Sequence, residues 1–157
     1  MPLVIDTLAI IAAMCTAVIF GIDVLAAVVL RPAFREVDNH TLVQITGRTH
    51  RFGNQRLPVP GIVSVVAAAA TAVTAFVSGA PQAGGSAAAG LVFLLVWLLL
   101  FNRIALPINK TLIAASYAGE TPSDARTLQD RWESIINLRS VLQGLALLAF
   151  CVVIAIV

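Results

Sequence analysis

The chain has 157 residues, 59% of them hydrophobic and 11% charged, with a formal net charge of +2 and a mean hydropathy of +0.95. A soluble domain of this size cannot bury so much apolar surface, so the composition excludes a water-soluble globular fold. Long uncharged runs point instead to an all-α integral membrane protein, a four-transmembrane-helix bundle forming one domain over residues 1–157.

The first apolar run, Leu3–Leu30, is longer than the ~20 residues needed to cross a bilayer and contains Asp6 and Asp23, which predicts a tilted or projecting helix. Nothing basic precedes it, which argues against a cleaved signal peptide. Arg31-Pro32 is expected to end it. Phe34, Val37, Leu42, Ile45 and Phe52 then recur at roughly helical spacing, predicting an amphipathic segment at the membrane surface that Gly47 interrupts. Arg48, His50, Arg51, Asn54 and Arg56 follow as a short basic run, suited to topology and to anionic headgroups. Leu57–Gly79 is the second span. Its stripe of Gly61, Ser64, Ala68, Thr71, Ala75 and Ser78 lets a neighbouring helix approach closely.

An uncharged turn, APQAGGS, leads into the third span, Ala87–Ile108. Phe93, Trp97 and Phe101 share one face there, as packing or as a wall for a flat ligand. Pro107 withholds a donor near Arg103 and should kink the helix end, and such opened ends line cavities. The fourth span is Leu138–Val157. All ten Lys and Arg residues lie between Arg31 and Arg56 or between Arg103 and Arg139. The positive-inside rule then places both long connections in the cytoplasm and both termini outside a bacterial-type plasma membrane.

The chain's polar groups converge on the joint from Asn102 to Arg139. Drawn as one helix, residues 132–145 put Trp132, Glu133, Asn137, Arg139, Ser140, Gln143 and Gly144 within an arc of roughly 160°. Such groups at a bilayer boundary are costly unless partnered or wetted. Asp23, about two turns inside span one, needs a partner, and Arg31, Arg103 and Arg139 are the candidates. It is either a helix-register ion pair or a group for proton transfer or ligand orientation. Surrounding arginines favour the neutral, proton-accepting form of His50, unless it is simply an exposed loop histidine. His40 and His50 form no HxH, HxxxH or ExxH pattern, and Cys15 and Cys151 no CxxC, so no metal site is expected. No GxGxxG, P-loop or GxSxG is present, and neither a nucleotide cofactor nor a nucleic-acid partner is expected.

Leu106-Pro107-Ile108-Asn109-Lys110, the W-x6-R pattern of Trp132 and Arg139, and the polar Asn137 between them carry a family resemblance. With the plan of long loop, short turn, long loop, the whole chain resembles the anthrone-oxygenase-like family of small four-helix membrane proteins. Ala105 departs from it, standing where a more polar or branched residue is expected. The resemblance implies oxidation of a polycyclic aromatic, anthrone-like or similar phenolic substrate by molecular oxygen without flavin or haem. Such a carbon acid yields a delocalised enolate that can itself reduce oxygen, so the protein need supply only a base, donors for the enolate oxygen and a dry pocket. His50 or Asp23 would be the base. Arg139, Arg103, Asn109 and Asn137 would be donors, and Trp132 the pocket wall. Two other classes stay open: a non-catalytic carrier for an apolar aromatic or quinone, and a small structural subunit. The expected partners are the lipid bilayer and an apolar aromatic molecule, with a homo-oligomer left open.

The one-sided basic residues predict that cysteines placed singly in residues 80–86, in a background lacking Cys15 and Cys151, react with a membrane-impermeant thiol reagent in intact cells. Cysteines near His40 or Glu120 should stay unlabelled. Labelling near His40 would reverse the orientation.

Overall fold

A computed structural model describes residues 1–157 and contains helices and turns with no strand. Six helices follow one another: α1 (Pro2–Arg35), α2 (Asn39–Arg56), α3 (Pro58–Val77), α4 (Pro81–Ala118), α5 (Ala125–Glu133) and α6 (Ile136–Ile156). Four stretches are long and apolar enough to cross a membrane: α1, α3, α4, and α5 with α6 taken together. Large apolar side chains point outward along them, among them Leu3, Met14, Val28, Val73, Val77 and Leu148. Lipid tolerates such a surface and water does not.

The bundle is a four-membered ring in which α1 packs on α3 and α6, and α4 packs on the same two. Its two inner clusters are rich in alanine. Ala9, Ala72, Ala75, Ala83 and Ala87 fill one end, and Ala12, Ala67, Ala68, Leu94, Ala146 and Phe150 the middle. Small residues let the backbones come close, which is where helix association in lipid gets its packing energy. The stripe on α3 serves this purpose: Gly61, Ser64, Ala68, Thr71 and Ala75 are all buried.

Helix boundaries differ from the sequence expectation at four places. Arg31-Pro32 does not end the first helix, because α1 continues to Arg35 through a π-helical turn at Ala26–Leu30. The third does not end at Ile108, because after a second π turn at Phe101–Ala105 α4 runs through Pro107 to Ala118. In each case a proline follows within two residues of the wide turn. Widening accommodates the carbonyl that a proline ring would strike and that its missing N–H leaves unpaired. The turn between the second and third spans is shorter than expected. Helix α4 starts at Pro81, and the reversal is made by Gly79 at φ 75° with Ala80 N–H bonded to the Ala75 carbonyl at 2.9 Å. Finally, residues 132–145 are not one helix, since Ser134 and Ile135 form a turn between α5 and α6.

The connection after α1 is helical as expected, capped by Asp38, whose carboxylate accepts from the Thr41 amide (3.0 Å) and hydroxyl (2.7 Å). Those bonds hold the Asp38 carboxyl below its usual range. Gly47 does not interrupt this helix. A Cβ there would collide with the Ser116 Cβ and lie 2.5 Å from the Leu112 carbonyl, so Gly47 is the point where α2 presses onto the far half of α4. Val43, Ile108, Leu112, Ala115 and Ala125 form the small core that results, while Ile45 and Phe52 remain exposed. Arg126 also differs from the solvated loop charge it resembles in sequence. Its guanidinium donates to the carbonyls of Phe34 (2.7 Å) and Val37 (2.8 Å) and to Asn39 (3.2 Å), clasping the α1–α2 connection onto α5.

The close approach predicts that Gly47→Val destabilises the protein by about 1–3 kcal/mol through overpacking. Gly21→Ala, where an added Cβ meets nothing within 4 Å, should leave stability unchanged or raise it by up to about 1 kcal/mol. Thermal unfolding in detergent micelles checks both, and equal effects would contradict the packing argument.

Candidate functional site

Where the two π turns loosen the bundle, at the end carrying the basic residues, the helices enclose a cavity of about 640 Å³. That lies within the roughly 300–1,000 Å³ typical of small-molecule sites. All six helices contribute to its lining, and both π turns do so directly, through Ala26, Leu30, Phe101 and Asn102. π turns recur at functional sites because they aim side chains out of the regular helical register.

Asp23 holds the upper end of this space. It is 3% exposed, and its carboxylate accepts from Arg139 Nη2 at 2.9 Å, Gln143 Nε2 at 2.5 Å and Trp97 Nε1 at 3.3 Å. Of the three cationic candidates, Arg139 is thus its partner. Removing one member of such a buried pair strands the other charge at a cost of about 3–5 kcal/mol. With three donors already upon it, Asp23 fits the part of an anchor better than that of a base.

Arg139 is differently placed. It is 4% exposed and makes that single ionic contact, while its Nη1 and Nε have no hydrogen-bond partner. Three aromatic rings surround its guanidinium, with centroids at 5.9 Å (Trp97), 5.6 Å (Phe101) and 5.5 Å (Trp132). The rings hold the cation in place and keep competing polar groups away from it. Each buried donor left unpaired costs about 1–3 kcal/mol. Two such donors on one charged group beside a cavity are able to donate to an oxyanion. Phe93, expected to share the aromatic face, packs in the middle cluster instead.

Further unpartnered atoms belong to residues lining the same cavity: His50 Nε2, Trp132 Nε1, Asn109 Oδ1 and Gln129 Oε1. His50 lies against Trp132, ring centroids 5.4 Å apart. Burial and then the nearby Arg139 charge push its pKa down to about 4, so the imidazole is neutral at pH 7. Asn109 donates through Nδ2 to Asn54 Oδ1 at 3.0 Å, which leaves its own oxygen free. A second ionic cluster closes the lower wall. Buried Glu133 meets Arg31 Nε at 3.2 Å and Arg35 Nη2 at 3.9 Å, and accepts from Gln129 Nε2 at 3.0 Å.

Of the residues singled out from sequence, His50, Asp23, Arg139, Asn109 and Trp132 come together around this cavity. Arg103 and Asn137 do not. Both are exposed and neither lines it. On the π turn it is Asn102, itself exposed, that lines the cavity and not Arg103, and for Asn137 the turn at Ser134 and Ile135 breaks the assumed continuity with Trp132. Sequence reasoning missed Trp97 and Gln143 as the other holders of Asp23, and Glu133 and Arg31 as a second pair. The polar arc containing Glu133 and Gln143 was the available signal. No three His, Cys, Asp or Glu side chains are grouped as metal ligands. Comparison of the chain with protein-family models, with curated proteins and with solved structures finds no match.

The geometry predicts that Arg139→Leu destabilises the protein by about 3–5 kcal/mol, with the double substitution Asp23→Leu/Arg139→Leu costing clearly less than the single one. Exposed Arg131, which has no acidic partner, should change stability by no more than about 0.5 kcal/mol on substitution by Ala. Equal losses at Arg139 and Arg131 in thermal unfolding would show that the pair is not an anchor.

Proposed function

We propose that the chain is a membrane-embedded oxygenase whose long connections face the cytoplasm and whose cavity takes a flat, oxygenated aromatic molecule of the anthrone or phenol type. The single observation that carries this reading is the pairing of free donors on buried Arg139 with an unpartnered, neutral His50 in one largely apolar space. Resemblance to the anthrone-oxygenase-like family at Asn109, Trp132 and Arg139 is consistent with it.

The chemistry then runs as follows. His50 Nε2 takes a proton from the carbon between the two aromatic rings, and the bonding pair delocalises onto the conjugated carbonyl oxygen. Arg139 Nη1 and Nε donate to that oxygen as it becomes negative, the role preorganised donors play in stabilising enolates. One electron passes from the enolate to O2. Superoxide and the carbon radical combine into a peroxide, which takes the proton from the imidazolium. Loss of water across the C–O–O–H unit, with departure of the second carbon-bound hydrogen as a proton, leaves the quinone carbonyl. The balance is one CH2 and one O2 giving one C=O and one H2O. The aromatic walls hold the flat substrate and exclude bulk water.

A second reading is favoured by the low basicity of His50. A base whose pKa is about 4 sits well below the optimum for general-base catalysis near neutrality. A carrier that binds the same molecule without turning it over needs Arg139 and the aromatic walls but no base.

Purified protein treated with chelator should consume oxygen with a phenolic anthrone, and His50→Ala should lower kcat by about 10²–10⁴-fold. Because only neutral imidazole accepts the proton, the rate should rise with pH through about 4 and level off above it. Binding without oxygen uptake selects the carrier. Activity lost on chelation and restored by one metal would contradict the mechanism.

A further inference from the structure

How the cavity is filled can be read from its rim. Four lining residues are large, apolar and exposed: Ile22 (38%) and Leu25 (48%) on α1, Ile62 (62%) and Val66 (60%) on α3. The two helices are neighbours in the bundle, and all four residues fall within stretches apolar enough to cross a membrane. Immediately past Leu25, the π turn at Ala26–Leu30 takes α1 onto α6, its main packing partner outside its own helix. Of the polar groups of the cavity, Arg139 lies on α6, Trp132 on α5, His50 on α2 and Asn109 on α4, whereas Asp23 and Arg31 on α1 are paired with Arg139 and Glu133.

An apolar rim of this kind would be a costly mouth onto water and is a neutral one onto lipid tails. We propose that the cavity is filled sideways from the bilayer, through a portal between α1 and α3 framed by Ile22, Leu25, Ile62 and Val66. Its ligand is a membrane-dissolved amphiphile, whose flat oxygenated head lies against Arg139 and whose apolar remainder extends toward the portal. This rests on the reading of the chain as membrane-embedded with a ligand in this cavity, and it adds the route and the physical class of that ligand.

The chain's two tryptophans, Trp97 and Trp132, both line the cavity and report on its contents. The full chain is reconstituted in phosphatidylcholine vesicles, and its fluorescence is titrated with nitroxide-labelled stearate, which partitions into the bilayer, and separately with acrylamide, which does not. Stearate should quench the wild type strongly. Ile62→Phe/Val66→Phe should lose most of that quenching, Ile62→Ala/Val66→Ala should gain it, and acrylamide quenching should be the same in all three. The alanine pair keeps the test decisive if the phenylalanine pair folds poorly. Stearate quenching indifferent to both pairs, or a fall in acrylamide quenching instead, would overturn the portal. Because the measurement needs no turnover, an inactive protein with a working portal would defeat the oxygenase reading alone. An active protein with an indifferent rim would defeat the portal alone.

Discussion

The ion pair between Asp23 and Arg139 ties the first helix to the last at a depth where both side chains are almost wholly buried. Its two halves are provided for unequally. The carboxylate receives three donors, whereas the guanidinium gives one ionic contact and keeps two nitrogens, Nη1 and Nε, without a hydrogen-bond partner. A pair that served only to fix helix register would gain most by saturating both partners. Here the saturation is on the acid alone. The cation is stabilised by a ring of π faces, which satisfy its charge but not its hydrogen bonds. That asymmetry leaves the joint able to donate to a ligand as well as to fasten the helices.

The space beside the pair lies where the helices around it depart from regular α geometry. Two prolines, Pro32 and Pro107, each follow a π turn, and each turn lines the cavity. Around this opened region α2, α5 and the far half of α4 form a smaller second layer, held by the Gly47 contact, the Arg126 clasp and the Glu133 cluster. The alanine-rich half of the bundle is tight and apolar, so the chain separates a packing half from a polar half along its length.

Hydropathy made the four long helices legible, since apolar runs of that length have few other uses. Small-residue spacing likewise showed which face of α3 packs. What escaped was local and depended on long-range contacts. Arg31-Pro32 reads as a stop unless the surrounding packing repays a widened turn, so it misplaced one helix end, and the loss of hydropathy after Ile108 misplaced another. A glycine among polar residues reads as a break, and Gly47 became a contact only because α4 returns to meet it. Asp23, His50, Asn109, Trp132 and Arg139 stood out because polar groups near apolar runs are expensive. The bonds of Trp97 and Gln143 to Asp23 did not, because an aromatic face and a polar arc do not show which carboxylate they meet.

The central claim, that free donors on Arg139 receive an oxyanion in the cavity, is tested most directly by the ionisation of a bound hydroxyanthraquinone, read from its visible absorption. Bound to the wild type, the dye should ionise at a lower pH than when dissolved in protein-free membranes, because the guanidinium favours the phenolate. In Arg139→Gln the displacement should vanish even where the dye still binds. A dye that binds with its free ionisation, or whose shift survives the loss of Arg139, would contradict the account.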